Sequence, residues 1–285
     1  MQICKSVDEL KTVKDNTIIG ADTLTMQNTE IRFTGTGNVL FLGENIQLSG
    51  CQLKFNGSNS IIYLSPSRHV YMLDVTVNNN NVFYVGKNNY FNGALHAVLS
   101  EQKHIILGDG NLISFGVWVR TADPHLVYSA ATQQRINPSK SVLLGDHVWL
   151  GQSAMLLKGT QIASGSILGA GAVCAGKRIP SNESWAGNPA RRIAGGIFWD
   201  NPCVHLWTDE QTAAHATFKS NKYIYTEKSD ETLSLTAVEQ QLSALSATEE
   251  RLQYLQELSE NNAKNRFAVS GEKTKKKRGL FRHQL

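Results

Sequence analysis

The segment from Leu144 to Arg178, LGDHVWLGQSAMLLKGTQIASGSILGAGAVCAGKR, decides how the rest of the chain is read. Leu144, Leu150, Leu156, Ile162, Leu168 and Cys174 recur at every sixth position. A compact side chain (Val148, Ala154, Thr160, Ser166, Ala172) follows four residues after each of the first five. A six-residue apolar period marks a β-helix. An α-helix would space its apolar residues three and four apart, and each of the glycines from Gly145 to Gly176 would cost it about 1 kcal/mol. Three hexapeptides close a triangular coil of about 18 residues whose aliphatic side chains point inward. Successive coils stack as parallel strands roughly 4.8 Å apart. A parallel sheet of βαβ units needs a crossover of about a dozen residues between strands, and none fits between Leu144 and Arg178.

Upstream, residues 1–100 carry short alternating runs (Ile31-Arg32-Phe33, Val39 to Leu42, Gln52 to Phe55, Ile61 to Leu64, Val82 to Val85) separated by Asn and Gly. This is turn chemistry between strands, and it predicts irregular β-helix coils. The six-residue phase returns at Leu107, Ile113 and Val119, then breaks for 24 residues, Arg120 to Leu143, before Leu144. That break predicts a loop projecting from the prism, the part of a rigid solenoid where function is expected.

With 285 residues and 41% hydrophobic content the chain can bury a full core and carry an appendage. It has no run of about 18 apolar residues, and its N-terminus shows no signal-peptide pattern, so a soluble cytoplasmic protein is expected. Cys4, Cys51, Cys174 and Cys203 have no metal-binding spacing and read as reduced, mostly buried thiols. The net charge of +4 does not predict a nucleic-acid partner, because six positive charges lie in Lys273 to Arg282 alone. No set of histidines and carboxylates has metal-ligand spacing, which argues against a zinc-bearing prism. After Ile193 the repeat ends. Phe198, Trp199, Val204, Leu206 and Trp207 suggest a capping segment over residues 201–229. Apolar residues from Val238 to Leu258 predict an amphipathic helix within 230–262, packed on the prism or paired in a short coiled coil. Residues 263–285 read as a basic disordered tail, either simply solvated or touching a polyanion or a membrane surface. The β-helix domain itself is expected over residues 1–200.

Three stretches add chemistry to this frame: TADPH (Thr121 to His125), RINPSKSVLLGDHVWLG (Arg135 to Gly151) and WAGNPARRI (Trp185 to Ile193). Together, over about Val82 to Ile197, they resemble the hexapeptide-repeat acyltransferases, most nearly the capsular polysaccharide and polysialic acid O-acetyltransferases. The resemblance implies a mainly β left-handed parallel β-helix that works as a homotrimer, with sites between neighbouring prisms. It also implies an acetyl-CoA-dependent O-acetyltransferase acting on a surface glycan, with no metal.

Attack of a sugar hydroxyl on a thioester needs a base that titrates near neutrality, for which histidine is suited. His125, in the interrupting loop, is that candidate, and the resemblance assigns it the role. Asp123 beside it either orients the imidazole or caps the turn. His147 sits at a position expected to point outward and reads as non-catalytic. The resemblance further implies the backbone amide of Gln152 as oxyanion donor, Trp149 lining the acceptor and pantetheine side, and Asn92 helping to hold the acceptor. Gly151, Gly169 and Ala170 would let the pantetheine arm approach closely. Lys177, Arg178, Arg191 and Arg192 would meet the coenzyme A phosphates, with the choice between Lys177 and Arg178 open because one extra residue lies between Gly171 and Ile179. Two other readings stand beside this one. An N-acetyltransferase acting on an amino sugar would use the same base and donor site, and a catalytically silent β-helix would serve as scaffold or glycan-binding module.

Overall fold

The computed structural model describes residues 1–271 and is a parallel β-helix of three faces. One, here the open face, stacks eight strands from Gln2–Cys4 to Val173–Ala175. The second, the covered face, stacks eight more from Thr17–Ile19 to Arg178–Ile179. The third, the tryptophan face, runs from Tyr90–Phe91 through Trp149–Leu150 and ends on the antiparallel strand Arg191–Gly195. The sixth-residue apolar side chains are fully buried in a single core running the length of the prism, as the period requires.

The N-terminal coils are regular, which the sequence reading did not anticipate. Register partners on the covered face are Val39 with Ile61, Ile61 with Val82 and Phe83 with Ile105, steps of 22, 21 and 22 residues. After Leu143, paired with Gln161, the step falls to 18. The added residues lie at one corner only, where the chain passes from the open to the covered face: Val98 to Ile105 in the long coils, Leu157 to Gln161 in the short ones. A side-chain ladder holds this corner in phase. The Asn38 amide donates to Asn16 Oδ1 (3.0 Å), the Ser60 amide to Asn38 Oδ1 (2.9 Å) and the Asn81 amide to Ser60 Oγ (2.9 Å). Buried corner amides need such partners. The abundance of Asn over residues 1–100 thus encodes a repeat of 22 or 21 residues, hidden from a search at period six.

A second ladder runs along the corner between the covered and tryptophan faces. The Lys87 amide donates to Asp109 Oδ1 and the Asp109 amide to Asp146 Oδ1, both at 2.7 Å. Glycine is required at Gly86 and Gly108, where a Cβ would lie 2.3 and 2.4 Å from those carboxylate oxygens.

Both ends are dressed. At the start, α1 (Val7–Lys11), fixed by a Ser6–Glu9 capping box, lays Leu10 onto the first coil. After an exposed short helix α2 (Asp209–Ala214), the chain forms α3 (Leu235–Ala244) and α4 (Thr248–Glu260). Their apolar faces cover the outward side chains of Ile61, Tyr63, Val82, Tyr84, Ile106 and Leu143.

Three expectations about this appendage change. The helix expected within 230–262 is two helices broken at Leu245–Ala247, and it lies on the prism because the covered face offers it a complete apolar ladder. The segment 201–229 does not cap the last coil: Leu206 is 93% and Val204 63% exposed, and the terminal edge is paired by Arg191–Gly195 instead. The tail expected to be disordered from residue 263 is packed through Ala268. Arg266 is buried with Phe267 and Ala268, its guanidinium bonded to both oxygens of Asp146 (2.7 and 2.8 Å) and 3.0 Å from Asp109. Burial pushes the Asp109 carboxyl up; at Arg266 burial is the largest single influence and lowers the guanidinium, but Asp146 and Asp109 together outweigh it and hold the group above its usual range. The basic run Lys273 to Arg282 lies outside the described residues.

Candidate active site

The break in the period is a loop leaving the corner between the open and covered faces. It folds into a short hairpin with Tyr128 bridged to Arg135 and the Ile136 amide donating to Val127 O. Its stem is tied down at two points. Arg135 makes a two-pronged ion pair with Glu101 of the preceding coil (2.6 and 2.9 Å), to which the Ser139 hydroxyl also donates. The Arg135 and Ser139 donors push the Glu101 carboxyl down to about 2. Asp123 is ion-paired with Lys158 from the following coil, and that pairing, with the Asn137 amide, lowers its carboxyl.

Asn137, which sequence reasoning missed, is the buried hub. Its Nδ2 donates to Asp123 Oδ2 (3.0 Å) and to His125 O (2.8 Å), and its Oδ1 accepts from the Val127 amide (2.9 Å). The sequence held one cue, an Asn-Pro at the loop's return. Asp123 thus ties the loop to Lys158 and Asn137. The His125 imidazole is exposed to solvent, available to a ligand.

The other expected residues gather elsewhere. Trp149 stands half-exposed on the tryptophan face, 6.0 Å from Trp199. At the corner leading from there to the open face, Asn92 shares a column with Gly151 and Gly169, as the pairing of Phe91, Ile113, Leu150 and Leu168 dictates. Gln152 and Ala170 occupy the next column. Among the described residues, the amides of Gln152 and Ala170 have no hydrogen-bond partner, whereas Gly151 donates to Leu168 O and Ser153 to Phe115 O. Both corner residues are exposed, and an amide left without a partner is what an oxyanion donor requires. Phe115, half exposed in the same column, was not foreseen. Gly151 has a second reason to be small, since a Cβ there would lie 2.4 Å from the Ala170 nitrogen of the coil above.

The four expected cations do not form one cluster. Lys177 and Arg178 lie at the loop corner of the last coil, while Arg191 and Arg192 have passed to the strand beyond the tryptophan face, because a few residues carry the chain around a corner. Arg192 is engaged with Glu183 at 2.8 Å, and Arg191 and Arg178 are exposed.

His147 lies outside the prism core, as expected, but is covered rather than open to solvent. It is buried between the rings of Trp199 (3.9 Å) and Tyr223 (4.0 Å), with Nε2 3.1 Å from Trp199 O, while the Trp199 indole donates back to His147 O. Desolvation lowers its pKa. It is a clamp holding the 198–225 segment beside Trp149.

The candidate residues therefore form two half-sites. His125, Asp123, Lys177 and Arg178 line the loop corner. Trp149, Gln152, Ala170, Asn92 and Arg191 lie around the tryptophan face and its far corner. Among the described residues no group of three or more His, Cys, Asp or Glu could hold a metal.

Known proteins supply the context. A 61-residue stretch is 38% identical to the polysialic acid O-acetyltransferase of Neisseria meningitidis, covering 21% of this chain and 28% of that one. Over 107 residues it is 27% identical to the polysialic acid O-acetyltransferase of Escherichia coli O1:K1 / APEC, covering 38% and 34%. In sequence and in fold this chain resembles the hexapeptide-repeat acyltransferases. The matched stretches span about a third of the length of those relatives. No family model matches. Among solved structures, the polysialic acid O-acetyltransferase OatWY superposes with a TM-score of 0.61 at 23% identity, over 71% of this chain and 95% of that one. The polySia-specific acetyltransferase NeuO does so with 0.60 at 21% identity, over 71% and 94%. The fold class is thus the left-handed parallel β-helix that the resemblance implies.

Proposed function

We infer that the protein is an acetyl-CoA-dependent O-acetyltransferase acting on a hydroxyl of an acidic surface polysaccharide, and that it works as a homotrimer. The observation that carries this reading is the separation of an exposed histidine on an anchored loop from a pair of free amides beside an exposed tryptophan. A second copy placed side by side with the first juxtaposes its loop corner with the neighbour's amides, and repetition around an axis closes a ring.

In such a site the His125 imidazole takes the acceptor hydroxyl's proton as the oxygen attacks the acetyl carbonyl. The tetrahedral oxyanion accepts a hydrogen bond from the Gln152 amide of the adjoining copy. Collapse breaks the carbon–sulfur bond, and the coenzyme A thiolate leaves with the proton from the imidazolium. Trp149 and Phe115 offer apolar surface to the thioester arm, and Arg191 and Lys177 are placed for phosphates. The donor being acetyl-CoA, the reaction belongs on the cytoplasmic side.

Similarity to two polysialic acid O-acetyltransferases supports an acidic glycan acceptor. Incubation with radiolabelled acetyl-CoA and a panel of acidic glycans, neutral glycans and amino sugars tests the reading. Label should enter an alkali-labile ester of an acidic glycan. Alkali-stable label on an amino sugar, or no transfer to any acceptor, would refute it.

A further inference from the structure

Beside the base of the His125 loop, a cleft of about 270 Å³ opens between the prism and α3. Its walls are built from three levels of one corner: Lys140 on the loop's return, Gly159 one coil on, and Gly176 with Arg178 on the last. Lys103 of the preceding coil and Thr236 and Glu239 of α3 complete it. Lys103, Lys140 and Arg178 thus face one space from three separate coils. Among the described residues none of their side chains has an ion pair or hydrogen bond, whereas Arg135 and Lys158 of the same corner are each committed to a carboxylate. The Lys140 stem lies over Gly159, where a Cβ would come 3.1 Å from Lys140 Cδ, so the missing side chain is what lets the ammonium reach the cleft.

Three uncompensated cations in a concavity create a field that favours a compact anion far more than the same charges spread over a convex surface. The opposing Glu239 weakens that field without cancelling it. Since adjacent coils are roughly 4.8 Å apart, the span from Lys140 to Arg178 is about 10 Å, the length of one or two sugar units carrying a carboxylate.

We propose that this cleft is a carboxylate subsite for an acidic glycan acceptor, holding a sugar next to the one presented to His125. Lys140 belongs to the same loop stem that carries His125, so a glycan anchored here lies beside the base. The identification of the bound anion as an acceptor rests on the transferase reading above. The subsite itself rests on the cleft.

Isothermal titration of the full-length protein at low ionic strength with oligosialic acid, a neutral oligosaccharide of equal length and 3′,5′-ADP tests this without any turnover. Lys103→Gln and Lys140→Gln should each weaken oligosialic acid by about tenfold, the usual scale of a lost charge-assisted contact. Lys140→Arg should restore it and Glu239→Gln should tighten it, while neutral sugar and 3′,5′-ADP stay within about twofold. Oligosialic acid affinity unchanged in the Lys103→Gln/Lys140→Gln double variant would overturn the proposal. So would weakening confined to 3′,5′-ADP, which would make the cleft a phosphate site of the donor. A protein that binds oligosialic acid through these lysines yet transfers no acetyl group refutes the transferase reading and leaves the subsite standing.

Discussion

At the scale of single residues, His125 differs from His147 and His96 by freedom. His147 is clamped between two rings and His96 is 3.1 Å from Asp74 and stacked on Trp118, whereas the His125 side chain is exposed on a loop whose backbone is fixed through Asn137. If it is the general base, His125→Ala should lower turnover by about 10² to 10⁴ and leave coenzyme A affinity nearly unchanged, because the proton transfer belongs to the transition state. Steady-state kinetics paired with calorimetric coenzyme A binding checks this. Near-normal turnover in the variant would remove the base from the mechanism.

At the scale of elements, two attachments set what the prism can do. The first ties the hairpin to the coil below through Glu101 and Arg135. Since the folded-state carboxyl of Glu101 is depressed from 4.5 to about 2, its contribution is present above about 4.5 and is lost as pH falls toward 2. Hydrogen exchange of the Val127 and Ile136 amides should therefore show protection that persists at pH 5 and declines below about 4, whereas Glu101→Gln, with no carboxyl to titrate, should show weaker protection already at pH 5. A pH-independent protection pattern would contradict this. The second attachment is Arg266, buried against Asp146 and Asp109. Removing one member of a buried ion pair costs about 3–5 kcal/mol because the other charges stay behind. Arg266→Ala should lose stability on that order in urea unfolding, and Arg266→Ala/Asp146→Asn should recover part of it. A single variant as stable as the parent would show that the C-terminal segment is not docked this way.

At the scale of the whole molecule, the proposed site between copies makes activity depend on the assembly. Co-expressed His125→Ala and Trp149→Ala chains, each impaired alone, should regain about a quarter of parental turnover. In a randomly mixed ring that is the share of interfaces at which both contributing halves are intact. Mixed oligomers no more active than their parents would mean that each chain holds a complete site. Sedimentation of the parental protein should accordingly give a trimer.

The six-residue period from Leu144 to Cys174 determined the prism by itself. Each hexapeptide turns one face of the prism and points its large aliphatic side chain inward at the same place, so apolar spacing and fold are the same information. The break after Val119 likewise placed the loop, and TADPH within it placed His125. The longer N-terminal coils stayed hidden, because their regularity is carried by Asn and Ser side chains bonding to the coil alongside, a signal with no hydrophobic period. Tertiary structure alone decided the rest. Asn137 and Lys158 meet Asp123 from 14 and 35 residues away, the charged Arg266 is buried because two ladder carboxylates await it, and four cations close in sequence fall on opposite sides of a corner. Each of these depends on which residues the coil brings to the same height, and that follows from the summed length of every turn before it.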